Sequence, residues 1–171
     1  MRYRMFRHMM IGCLWAIVPL KGSAQQLAVG SDVALLATQT YNAALELTVS
    51  GRSTLGVSVM GNYHPWVHQD MRLIGILPEW RFYFSGRPML YHYVGMTGLL
   101  ANYDFDWKGE AHHGDAAGVG LTFGYVVPLS QRWNLDLHAG AGWIWYHEKS
   151  QTVGTIILPL KLGVSLAYII R

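Results

Sequence analysis

Glu46, Glu79, Arg81, Asp136, His138 and Lys161 are the residues whose types and positions could support acid–base or ion chemistry inside a folded core. Each falls on the polar side of a stretch whose other side is apolar. Glu79 and Arg81 stand two apart, as do Asp136 and His138, so in an extended strand each pair shares a face. A chain of such groups could pass protons or ions. Mutual pairing, by which buried charges become tolerable, is the simpler reading and the one favoured.

Two other sets have residue types suited to chemistry. His64, His68, His112, His113 and His147, with Asp70 or Asp115, carry the imidazole and carboxylate donors that suit divalent ions. They lie in polar connecting segments without a spacing that would hold a coordination geometry, so no metal or other cofactor is expected. Ser58 and His138 both fall on inward positions, but nothing marks Ser58 as an activated nucleophile. Gly118-Val-Gly120 precedes a strand rather than a helix, which fails the context of a phosphate-binding loop. No catalytic constellation results, and the chain is not expected to be an enzyme.

The elements that position these residues are strands. From Trp133, the residues Trp133, Leu135, Leu137, Ala139, Ala141, Trp143 and Trp145 share one face, opposite Asn134, Asp136, His138, Gly140 and Gly142. Further on, Ile156, Leu158, Leu160, Leu162, Val164, Leu166, Tyr168 and Ile170 alternate with Pro159, Lys161, Gly163, Ser165 and Ala167. That is period two. Earlier runs repeat it: Leu45 and Leu47 against Glu46 and Thr48; Leu55, Val57 and Val59 against Gly56, Ser58 and Met60; Ile74, Ile76, Trp80 and Phe82 against Gly75, Glu79, Arg81 and Tyr83; Val119, Leu121, Phe123 and Tyr125 against Gly118, Gly120, Thr122 and Gly124. Ser50-Gly51-Arg52 and Ser85-Gly86-Arg87 mark tight turns 35 residues apart, and Pro128 to Arg132 marks a third. A first strand is expected near Ala28–Thr38, a bulge or bend at Pro78, and a long polar connection over Asp104–Ala117. The strand from Leu90 to Tyr103 alternates too poorly for its faces to be assigned.

Eight such strands, apolar on one face and polar or very small on the other, predict an all-β fold: an eight-stranded antiparallel up-and-down transmembrane β-barrel with lipid outside. Side chains are expected to fill so small a barrel, making an open solute pore unsuitable. Short turns with Arg52, Arg87 and Arg132, and both termini, are assigned to the periplasmic rim. His64, His68, Asp104, Trp107, His112 and His113 are assigned to the extracellular loops, with aromatic girdles at both interfaces, Phe105 among the outer set. A soluble lipocalin-like barrel would require the reverse sidedness.

Residues 1–24 read as a cleavable signal peptide: Arg2, Arg4 and Arg7, an apolar run from Ile11 to Leu20, then Gly22-Ser23-Ala24. Residues 25–171 form the barrel domain. The leader holds four basic residues and no acidic one, so the formal +3 of the whole chain becomes nine basic against ten acidic, a formal −1. A nucleic-acid partner is therefore not expected. Cys13, the one cysteine, lies in the leader, leaving the mature segment without thiol chemistry. Hydrophobic residues make up 51% and charged residues 13%, a balance suited to lipid contact without a helical span.

Lys161-Leu-Gly163-Val-Ser-Leu166-Ala-Tyr168 resembles the terminal signal through which bacterial outer-membrane barrels are recognised by their assembly machinery, although Ile169-Ile170-Arg171 follows the aromatic residue. Asn42-Ala-Ala-Leu-Glu46, Tyr103-Asp-Phe-Asp-Trp107, Pro128 to Asp136, Gly140-Ala-Gly142 and Ser165 to Ile170 resemble a family of small, OmpA/OmpX-like outer-membrane barrels common in Bacteroidota and known only as a domain of unknown function. Ala34 stands before Leu35-Leu36 where that family has asparagine. The resemblance implies an outer-membrane location, lipid and the barrel assembly machinery as partners, and no catalytic residues. The role expected is structural, adhesive or docking, with a cell-surface protein as possible partner; the alternatives are a lipid-modifying enzyme and a narrow ion or solute channel.

Overall fold

The computed structural model describes residues 26–63, 71–107, 110–148 and 153–170; the leader, His64 and His68 lie outside these. The described residues form strands β1 (Leu27–Asp32), β2 (Tyr41–Thr48), β3 (Ser53–Tyr63), β4 (Met71–Tyr83), β5 (Tyr91–Trp107), β6 (Glu110–Pro128), β7 (Trp133–Glu148) and β8 (Val153–Ile170), with one short helix, α1 (Val33–Ala37), after β1. Each strand pairs antiparallel with its sequence neighbours, and β1 pairs with β8 from Leu27↔Ile170 to Asp32↔Ser165, closing the ring. No helix among the described residues is long and apolar enough to cross a membrane.

Alternation sets the two faces. Leu121 is 65% exposed and Leu162 71%, while Tyr83 and Tyr93 are 0% exposed. Outside lies a belt of Leu45, Val57, Ile76, Leu121, Leu137 and Leu162. Trp133 meets Tyr168 edge-on at 5.1 Å near one rim, and Trp145 lies exposed toward the other. Inside, Ala28, Met89 and Ile169 close the end that carries the termini and short turns. Leu77, Leu99 and Ile144 pack further up. At the second turn Gly86 takes φ +73°, a conformation that suits glycine.

Several sequence expectations are corrected. The first strand stops at Asp32 rather than Thr38. The Asp32 carboxylate accepts from the Ala34 and Leu35 N–H groups at 2.8 and 3.1 Å, an N-cap that turns Val-Ala-Leu-Leu-Ala into α1. Asp104–Ala117 is strand at both ends rather than one long connection, since Asp104 pairs with His113 and Trp107 with Glu110. Its lack of alternation follows from its height: at 17 and 19 residues, β5 and β6 outrun the ~9–11 that a tilted strand needs to cross hydrocarbon. Phe105 stacks on His112 on the inner face of this extension, not in an outer girdle. Pro78 makes no bulge, because the β4–β5 register is the same on both sides of it, from Ile76↔Leu100 to Glu79↔Thr97.

The bulge lies in β8. Gly140 pairs with Lys161 but Ala141 with Pro159, leaving Leu160 as an extra residue. One inserted residue reverses the faces beyond it. Leu160 therefore packs inward beside Leu77, Leu99 and Ile144, and Ile156 and Leu158 pair with the inward Ile144 and Gly142, against the expectation that all three face lipid. Leu162, Val164 and Leu166, below the bulge, keep the outward face.

Mid-belt Leu162→Arg is expected to cost ~2–4 kcal/mol in urea unfolding from lipid vesicles, and Ser165→Asn, on the inner face, less than half of that. Equal losses at the two sites would contradict the assigned faces.

Candidate functional site

The barrel axis carries a knot of charge centred on Arg81. Strand alternation in β4 turns Glu79 and Arg81 inward, and closure brings Glu46 of β2 and Asp136 of β7 to the same level. Arg81 Nε donates to Glu79 Oε2 at 2.8 Å, and its Nη1 to Glu46 Oε2 and Asp136 Oδ2, both at 3.0 Å. Its guanidinium carbon lies 4.4 Å from the centre of the Tyr93 ring. Space for this arrangement depends on glycine: a Cβ at Gly95 would meet Thr122 Oγ1 and Glu79 Oε1, and one at Gly124 would meet the Tyr93 ring.

Neutral donors reach the same carboxylates. Thr54 Oγ1 and Tyr83 Oη donate to Glu46 Oε1 at 2.6 and 2.7 Å, Tyr93 Oη to Asp136 at 3.2 Å, and Thr122 Oγ1 to Glu79. Lys161 Nζ donates to Glu79 Oε2 at 2.8 Å. Beside this knot His138 Nε2 meets Asp32 Oδ2 at 3.0 Å, while its Nδ1 stands 3.8 Å from Asp136 Oδ2. Because the Asp32 carboxylate already accepts two backbone N–H groups, it acts as acceptor here too, and Nε2 carries the proton. Asn42 then ties the top of β1 to β2: its Oδ1 accepts from the Asp32 N–H at 2.6 Å, and its Nδ2 donates to the Asp32 carbonyl at 2.9 Å.

All six inward polar residues singled out from the sequence thus meet within one connected set. Asp32, Thr54, Tyr83, Tyr93 and Thr122 complete it. Asp32 has a legible parity, alternating with Leu27, Val29 and Ser31, but the apolar run of Val33 to Ala37 extends the expected strand past it. Tyr93 was hidden by the poor alternation of β5.

Among the described residues His112, His113 and His147 do not gather. His112 points inward, with Nδ1 2.8 Å from Glu148 Oε1, whereas His113 and His147 lie on outward positions opposite Asp104 and Asp115. Among the described residues no group of three potential ligands is positioned for a metal. Ser58 has no such partner in His138, whose Nε2 is turned to Asp32. In β8, Lys161 and Gly163 face inward and Leu166 and Tyr168 outward. Gly163 is small where a Cβ would strike the Asp32 carboxylate.

The interior is not completely filled, contrary to the expectation for so small a barrel. A cavity of about 450 Å³ borders the knot, lined by residues of β1, β2, β3, β4, β7 and β8 and by Leu35 of α1. The cause is composition: Gly30, Ala44, Ser58, Ser165 and Ala167 face inward on these strands, too short to reach the axis.

Arg81→Met would strand three carboxylates beside one another. It is expected to cost ~3–5 kcal/mol in vesicle unfolding, with Lys161→Met, which removes a single contact near the edge of the knot, costing clearly less. Comparable losses would contradict Arg81 as the hub.

Comparison with known proteins agrees with this architecture. No curated protein matches. The chain is similar in structure to Neisserial surface protein A (NspA) at a TM-score of 0.54 and 13% identity, over 84% of this chain and 94% of that one, a likeness of fold. A family model described as protein of unknown function (DUF3575) matches residues 9–170, and the chain belongs to that family.

Proposed function

We propose that this protein is an integral outer-membrane barrel with a structural and partner-docking role, exported through the leader at residues 1–24 and presenting its tall end to the cell exterior. The observation that carries this reading is asymmetry. One end has short turns with Arg52, Arg87 and Arg132; at the other, β5, β6 and β7 rise past the apolar belt and expose Asp104, His113 and Asp115 on their outer faces. Such an edge, too polar for hydrocarbon, suits contact with a cell-surface protein. The knot around Arg81 crosses the lumen between β2, β4, β7 and β8, which favours a non-conducting barrel over a channel. The motif Lys161, Gly163, Leu166 and Tyr168 serves in this reading as the assembly signal, its outward Leu166 and Tyr168 open to the insertion machinery before closure.

Orientation and closure are tested together. The mature segment lacks cysteine, so single cysteines report cleanly. His113→Cys is expected to react with a membrane-impermeant maleimide on intact cells, and Arg87→Cys only after permeabilisation. Purified protein in planar bilayers is expected to give no sustained open level. The opposite labelling pattern would refute the orientation, and stable conductance steps would refute the closed lumen.

A further inference from the structure

Around the Arg81 knot the inner faces of the strands carry more acid than base. Asp32, Glu46, Glu79 and Asp136 stand against Arg81, Lys161 and His138, so even a fully charged histidine leaves one carboxylate without a counter-charge. A buried charge in excess is costly, and the surroundings have to supply its complement. The deficit borders the cavity: Asp32, Glu46, Asp136 and His138 line it together with Arg81 and Lys161, whose charges are already set against Glu46, Glu79 and Asp136.

A second, independent feature points the same way. His138 is 6% exposed, and its Nδ1 is buried without a hydrogen-bond partner although the ring lines the cavity. In the neutral form, with the proton on Nε2 directed at Asp32, the ring offers Nδ1 as an acceptor beside Asp136 Oδ2, 3.8 Å away. The fitting partner is a hydrogen-bond donor, and one carrying positive charge also answers the carboxylate excess. Away from this floor the walls are mostly aliphatic, with Leu35, Met60, Met71, Leu73, Leu77 and Leu160, although Thr40, Asn42 and Asn62 also face the space. A bare or hydrated metal ion would satisfy the floor and leave the apolar walls without contact. A volume of about 450 Å³ lies within the ~300–1,000 Å³ range of small-molecule sites.

We infer that this cavity binds a small amphipathic amine, with the ammonium against His138 Nδ1 and Asp136 and a short apolar body along Met60, Leu77 and Leu160. The site is independent of the docking role, since it lies inside the barrel and not on the projecting edge. Binding at His138 and Asp136 leaves the Arg81 contacts in place, and the aliphatic walls select for the apolar body. Affinity therefore depends on charge and body together.

The test uses the folded barrel in lipid nanodiscs, with methyl and imidazole NMR signals as reporters and n-hexylammonium as the probe. Saturable shifts at His138, Met60 and Leu160 are expected, with affinity at least tenfold weaker for hexan-1-ol and hexanoate and no comparable shift from ammonium or sodium chloride. Ser58→Phe, which fills the cavity from β3, is expected to abolish the hexylammonium shifts while leaving the spectrum of a folded barrel. Absence of saturation in the unsubstituted protein would overturn the inference. So would equal binding of hexan-1-ol, equal shifts from the inorganic cations, or binding undiminished in a folded Ser58→Phe barrel.

Discussion

A peptide group facing hydrocarbon has nothing outside the chain to bond with, so every N–H and C=O within the lipid-facing belt has to be satisfied by a neighbouring strand. An open sheet fails that requirement at its two edges; the β1–β8 pairing removes both. Everything else in the molecule follows from the closed ladder. Once the ring is shut, period-two alternation leaves each side chain one of two environments, lipid or lumen, and the lumen becomes the only place for a charge within the belt. Glu46, Glu79, Arg81 and Asp136 arrive from three strands at one level because the register allows no other arrangement.

The lumen then answers a second constraint. Four carboxylates, Arg81, Lys161 and His138 share a space from which bulk water is largely excluded, and they persist by lending one another hydrogen bonds. Arg81 contacts three acids and a tyrosine face, while Thr54, Tyr83, Tyr93 and Thr122 add neutral hydrogen bonds to the carboxylates. Glycines at 95, 124 and 163 make this crowding possible on one side. On the other, short side chains on β1, β2, β3 and β8 leave space unfilled, so the same interior holds both a tight ionic knot and a cavity.

The sequence carried most of this because its signal is local. A strand in lipid shows its face in every second residue, as in Trp133–Trp145, and the inward set from Glu46 to Lys161 was legible by parity alone. What escaped it was non-local or one residue wide. The bulge at Leu160 adds a single position to β8 and reverses Ile156 and Leu158, yet the apolar run continues unbroken through it, because an inner cluster of Leu77, Leu99 and Ile144 wants leucine as much as lipid does. Asp32 has the parity of a mid-strand residue, and its role as the cap of α1 depends on a turn that no period-two pattern shows. Polar residues 104–117 read as loop because above the lipid neither face of a hairpin needs to be apolar.

The central claim is that lipid sorts these side chains, and adjacent leucines across the bulge separate it from any alternative. Methyl NMR of the barrel in bilayers containing a chain-labelled paramagnetic lipid measures this directly. Strong relaxation enhancement at Leu121, Leu137 and Leu162, with Leu77, Leu99 and Leu160 spared, is the outcome this account requires. Equal enhancement at Leu160 and Leu162, or protection of the outer set, would contradict it.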